Sequence, residues 1–115
     1  MASTDTLVCQ TQTLADGWLL ILQGDVNFTS SPKLRVSILE LINHKPDRLV
    51  IDLAGVPYMD SSGVATIVEA LQLQRRANRK LVLSALQPKV MGIFEIARLH
   101  TMFNIVPDTQ AALLA

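Results

Sequence analysis

The segment from Arg48 to Leu53 constrains the fold of this chain more than any other, because Leu49, Val50, Ile51 and Leu53 follow one another with only Asp52 between them. A strand with one wet face alternates apolar and polar residues, whereas a nearly continuous apolar run this short suits a strand buried on both faces. Parallel pairing under a layer of helices provides such burial. Leu19 to Leu22 and Leu81 to Leu86 give two further apolar runs, and Asn104-Ile105-Val106 gives a shorter one. Val8 to Thr13 alternates imperfectly and precedes the Asp16-Gly17 turn signal, so it is expected to be an edge strand paired with Trp18 to Leu22.

Helical periodicity fills the intervals. Ser30 or Ser31 before Pro32 marks a helix start, with Leu34, Ile38, Leu41 and Ile42 on one face and Pro46 ending the helix by Lys45 or sooner. Val64, Ile67, Val68 and Leu71 define a second helix that runs to a basic end near Arg79. Pro88 opens a third, with Val90, Ile93, Phe94 and Ala97 sharing a face, and Asp108 caps a short final helix. Strands alternating with helices predict an α/β fold, a mixed sheet covered by helices, in one domain over residues 1–115 without linker or repeat.

Composition removes several function classes. The net charge is zero, so there is no electrostatic footprint for nucleic acid, and Arg75, Arg76, Arg79 and Lys80 fit a solvated helix end. Cys9 is the single cysteine, which rules out an intrachain disulfide or cysteine zinc cluster and points to a reducing compartment, the cytoplasm. No apolar run approaches membrane-spanning length, and Met1 to Thr6 lacks a positive leader region, so neither insertion nor secretion is expected. Asn27-Phe28-Thr29 fits the glycosylation acceptor pattern, which carries no meaning without entry to the secretory pathway.

Chemistry concentrates in Asp60-Ser61-Ser62-Gly63, where an apolar strand gives way to an amphipathic helix. Free amides at a helix start, reinforced by the helix dipole, stabilise a negative group such as a phosphoryl. Asp and Ser are equally the preferred N-caps of ordinary helices, a role that needs no further function. A hydrolase reading would make Ser61 or Ser62 a nucleophile activated by His44 or His100. The loop lacks the Gly-x-Ser-x-Gly elbow, and both histidines fall at helix ends or turns. Two separated histidines and one distant cysteine offer no metal-ligand spacing. A binding module rather than an enzyme is therefore expected.

Over almost its full length the chain resembles the STAS domain family, and within it the bacterial anti-sigma-factor antagonists. The resemblance rests on Gly24-Asp25-Val26-Asn27, the strand Leu49 to Leu53, the loop Met59-Asp60-Ser61-Ser62-Gly63, and Gln87-Pro88-Lys89-Val90 with Phe94. It implies that Ser61, directly after the loop aspartate, accepts phosphate from a serine protein kinase that is itself an anti-sigma factor. The unphosphorylated chain would bind that kinase, phosphorylation would release it, and a phosphoserine phosphatase would reset the switch. The chain would be substrate, with ATP and magnesium belonging to the kinase and no cofactor of its own. Asn27, Met59, Asp60, Ser61, Ser62, Gly63, Val64 and Met91 are the expected partner surface, with Gly63 admitting a close backbone or phosphate approach. Three departures from the family pattern stand out: Asn27 replaces a frequent aspartate, Val64-Ala65 a frequent Leu-Gly, and Ala77-Asn78-Arg79 a glycine-rich turn. The alternative implied by the same resemblance is a scaffold or transport-accessory domain that docks without phosphate exchange.

Overall fold

The structure, a computed structural model, describes residues 7–114, so the expectation about Met1 to Thr6 lies outside the described residues. In chain order the elements are β1 (Val8–Leu14), β2 (Gly17–Gln23), α1 (Ser31–Asn43), β3 (Arg48–Gly55), α2 (Ser61–Arg76), β4 (Lys80–Ser84), α3 (Pro88–Ile96), β5 (Asn104–Val106) and α4 (Thr109–Leu114). The sheet runs β1-β2-β3-β4-β5 in sequence order. β1 pairs antiparallel with β2, and the remaining three pairings are parallel. The mixed sheet and the edge position of β1 agree with the sequence reading.

Each parallel connection advances the sheet in the same direction, and right-handed crossovers of that kind put α1, α2 and α3 on one face. The larger core fills that side: Leu20, Leu22, Leu49, Ile51, Leu53, Leu81 and Leu83 meet Leu34, Ile38, Ile67, Val90 and Phe94. Phe94 packs edge-on against Phe103 with centroids 5.5 Å apart, a geometry that adds about 0.5–1.5 kcal/mol to area burial. On the opposite face Leu19, Val50 and Val82 pack against Ala112 of α4. Burial of β3 on both faces explains its nearly continuous apolar run. Arg48 and Asp52, its polar residues on the α4 side, hold that short helix at both ends. Arg48 Nη1 donates to the carbonyls of Ala112 and Leu113, and Thr109 Oγ1 donates to Asp52 Oδ2 at 2.8 Å.

Several boundaries differ from expectation for local reasons. β4 stops at Ser84, short of Leu86, because Ala85 turns the chain with φ of 59°. α3 ends at Ile96, which leaves Ala97 as an exposed C-cap rather than a core residue. Asn78 takes φ of 58°, a left-handed conformation that asparagine tolerates, and so turns the chain without the glycine of the family pattern. Gln74, polar by type, is fully buried, and its Nε2 donates to Pro46 O and Lys80 O, joining α2 to the starts of β3 and β4. Among the described residues no helix is long and apolar enough to cross a membrane.

Candidate functional site

Two loops meet where the parallel strands end. After β3, Met59 forms an isolated parallel bridge with Val26 of the β2–α1 loop. Val26 N donates to Tyr58 O at 2.9 Å, and Asp60 N donates to Val26 O at 3.0 Å. The approach to α1 is thereby fixed against the approach to α2. A single carboxylate completes the junction. Asp60 is the N-cap of α2: its Oδ1 accepts from Ser62 N at 2.9 Å, Gly63 N at 3.3 Å and Ser62 Oγ at 2.5 Å. Its Oδ2 reaches across to accept from Phe28 N at 3.1 Å.

The Ser62 hydroxyl holds the Asp60 carboxyl below its ordinary pKa, against a smaller upward push from burial, and the amides of Gly63, Ser62 and Phe28 add to the lowering. Asp60 is therefore an anion at neutral pH, and Ser62 is its donor rather than a free hydroxyl. Ser61 differs. It is the first residue of α2, is exposed, and its hydroxyl makes no hydrogen bond among the described residues. A nucleophilic oxygen thus stands in solvent on a turn that its neighbours hold rigid.

Asn27, on the facing loop, acts through its amide: Oδ1 accepts from Thr29 N at 3.0 Å and Ser30 N at 3.1 Å. Its backbone N–H donates to Ser30 Oγ at 3.0 Å. The residue is therefore a turn-former, and an acid is not required for that work.

Three of the expected surface residues need correction. Met59 is fully buried, Gly63 is buried, and Val64 is only 8% exposed, so none of them offers a side chain to a partner. Met59 packs inward because the bridge to Val26 turns it to the core, and Val64 lies on the inner face of α2. A Cβ on Gly63 would stand 2.6 Å from Val26 Cγ1 and 2.7 Å from Met59 Cγ. The close approach that demands glycine is thus internal packing, not a phosphate. Met91, half-buried on α3, makes no side-chain hydrogen bond to the Asp60 turn among the described residues.

Sequence reading missed Phe28 and Tyr58, which are 77% and 47% exposed on the two joined loops. Phe28 could have been noticed as an aromatic residue among the polar, turn-forming residues Asn27, Thr29, Ser30 and Ser31. The hydrolase constellation is not assembled: His44 Nδ1 lies 2.8 Å from Glu40 O, its ring rests against Trp18, and His100 is exposed without a hydrogen bond to either serine. Trp18 is accordingly a packing residue.

The chain that carries this carboxylate-capped helix start has relatives of known class. The STAS domain family model matches residues 10–112. The chain belongs to the STAS domain family. BtrV of Bordetella bronchiseptica is 30% identical over 101 residues, 87% of each chain. The anti-sigma-B factor antagonist of Listeria monocytogenes is 31% identical over 87 residues, 75% of each chain. Among solved structures, an anti-sigma factor antagonist from Mycobacterium paratuberculosis superposes with a TM-score of 0.89 at 18% identity, covering 99% of this chain and 97% of that one. The Bacillus cell fate determinant SpoIIAA in its phosphorylated form superposes with a TM-score of 0.71 at 16% identity, covering 91% and 96%. These likenesses extend the same fold across this STAS group.

Proposed function

We propose that this STAS domain is an anti-sigma-factor antagonist whose binding to a serine protein kinase anti-sigma factor is controlled by phosphorylation of Ser61. The observation that carries this reading is the exposed, unbonded Ser61 hydroxyl beside an ionised, fully engaged Asp60. Membership among relatives named antagonists, and a like fold solved in a phosphorylated form, support it.

The geometry suggests why a phosphate would act as a release signal. A phosphoryl group adds about 1.5–2 negative charges at neutral pH. At a bare helix N-terminus the free amides would absorb much of that charge. Here Asp60 already occupies the amides of Ser62 and Gly63. The phosphate would stand outward beside a second anion, and a partner packed over Phe28 and Ser61 would meet both charge and bulk. In the kinase, the transfer breaks the bond between the γ-phosphorus and the β–γ bridging oxygen of ATP and forms one to Ser61 Oγ. The serine proton leaves to a kinase base. This chain supplies the acceptor and its orientation, and a phosphoserine phosphatase would hydrolyse the ester in the cytoplasm to reset binding.

The test is capture from source-cell lysate with magnesium and ADP, using wild-type chain and Ser61→Asp side by side. Retention of a kinase by wild type, with its loss from Ser61→Asp, supports the switch. Equal retention of the same partners by both forms would replace it with a docking scaffold.

A further inference from the structure

The two edges of the sheet are unequal. β5 is three residues long and is followed at once by Pro107. β1 is seven residues long, VCQTQTL, with no charge and no proline. Its pairing with β2 runs unbroken from Val8↔Gln23 to Leu14↔Gly17, with no bulge. Short length, charges, prolines and bulges are the usual guards of an edge strand, because unpaired N–H and C=O groups template another strand. β1 has none of them, and no described strand pairs with its outer side.

The hairpin fixes which groups are available. Leu14 and Gly17 flank the two-residue turn Ala15-Asp16, and such a closing pair exchanges both its hydrogen bonds. Alternation along an antiparallel ladder then turns the N–H and C=O of Cys9, Thr11 and Thr13 outward.

We propose that two copies of this chain pair antiparallel through β1, about a two-fold axis at Thr11, to make one continuous sheet. This is the register in which all seven residues of the strand are paired. Thr11 faces the partner's Thr11, Cys9 faces the partner's Thr13, Gln10 faces the partner's Gln12 and Val8 faces the partner's Leu14. Three pairs of outward-turned residues exchange about six backbone hydrogen bonds, two for each pair. The strand carries no charge that self-pairing would oppose, and the two-fold sets Thr11 against Thr11, a cross-strand pair of the favourable kind. A two-fold axis normal to the sheet leaves both copies' α1–α3 layers on the same side and gives an isologous, closed interface. The pairing uses none of the residues of the Asp60 turn and stands apart from the switch proposed above.

The experiment is analytical ultracentrifugation of the full chain across a concentration series, beside Thr11→Pro and Thr11→Lys. Proline at Thr11 deletes only the outward N–H and spares the ladder to β2. Lysine leaves the backbone intact and opposes two like charges at the axis. Wild type is expected to sediment as a dimer in equilibrium with monomer, with both variants raising the dissociation constant by at least about tenfold and circular dichroism unchanged. In Cys9→Ser/Thr11→Cys, mild oxidation is expected to yield a disulfide dimer, since facing Cα atoms in a bonded pair lie about 5.5 Å apart, within disulfide reach. Wild type that stays monomeric to its solubility limit overturns the proposal. So does a dimer indifferent to Thr11→Lys that gives no Thr11→Cys cross-link.

Discussion

Two helices of this protein begin with a pair of serines, and the two pairs have opposite fates. Ser30 and Ser31, at the start of α1, are 6% and 7% exposed. Ser30 Oγ donates to Asp25 O at 2.8 Å and accepts from Asn27 N at 3.0 Å, so its hydroxyl is consumed in closing the turn. At the start of α2 the capping work is done by Asp60, and Ser62 is drawn into it. Ser61 is relieved of any structural duty and faces solvent. A serine at a helix start keeps a free hydroxyl when another side chain caps the helix, and here the acidic residue directly before it, Asp60, is that cap.

The largest effect expected from this contrast concerns phosphate acceptance. With the cognate kinase and ATP, Ser61→Ala abolishes phosphate incorporation measured by intact mass, whereas Ser30→Ala leaves it unchanged. Instead, Ser30→Ala lowers stability by about 1–2 kcal/mol, since it strands the Asn27 amide in a half-buried turn. Equal phosphate loss in both variants would break the comparison.

Next in size is Gly63→Ala. The added methyl meets Val26 and Met59, both fully buried, at under 3 Å. Overpacking of about 1–3 kcal/mol outweighs the gain in helix propensity of up to about 1 kcal/mol, and chemical denaturation should show a net loss. Third comes Asp60→Asn, which keeps one capping oxygen for Ser62 and Gly63 but removes the charge and puts an NH2 where Oδ2 accepts from Phe28 N, at a cost of about 1 kcal/mol. Because the folded Asp60 carboxyl titrates below its unfolded value of about 3.9, the cap's contribution is complete above that pH and is lost as pH falls through the lower, folded value. The stability difference between wild type and Asp60→Asn should therefore be constant near neutrality and shrink below about pH 3.9. A gap that persists in acid would show that the carboxylate charge is not what holds the turn.

The smallest effect on stability belongs to Phe28→Ala. Its side chain is 77% exposed, so unfolding free energy should change by no more than about 0.5 kcal/mol. If the partner packs over the joined loops, its affinity falls about tenfold, readable by titration calorimetry. Unchanged affinity would confine the partner to α2.

Much of this arrangement was legible in the chain itself. The apolar runs of β2, β3 and β4 announced strands, that of β3 a strand buried on two faces, and Asp60 to Gly63 stood out as a helix start. The inward turn of Met59 was not legible, because an apolar residue at the end of a strand shows no period of its own. Its orientation follows from a bridge to Val26, 33 positions earlier in the chain. Phe28 was hidden for the complementary reason. Its neighbours marked a turn, but the bridge of Val26 to Met59 and the bond from the Phe28 amide to Asp60 are what bring that turn beside Ser61. Long-range pairing supplied what local pattern could not.

The central claim is tested most directly by mapping the phosphate. The kinase retained by the wild-type chain would be given magnesium and ATP with that chain, and the product fragmented by mass spectrometry and assayed for kinase binding. A single phosphate on Ser61, with the modified chain no longer bound, is the predicted result. Phosphate on Ser62 or elsewhere, or a chain modified at Ser61 that binds the kinase as tightly as before, would contradict it.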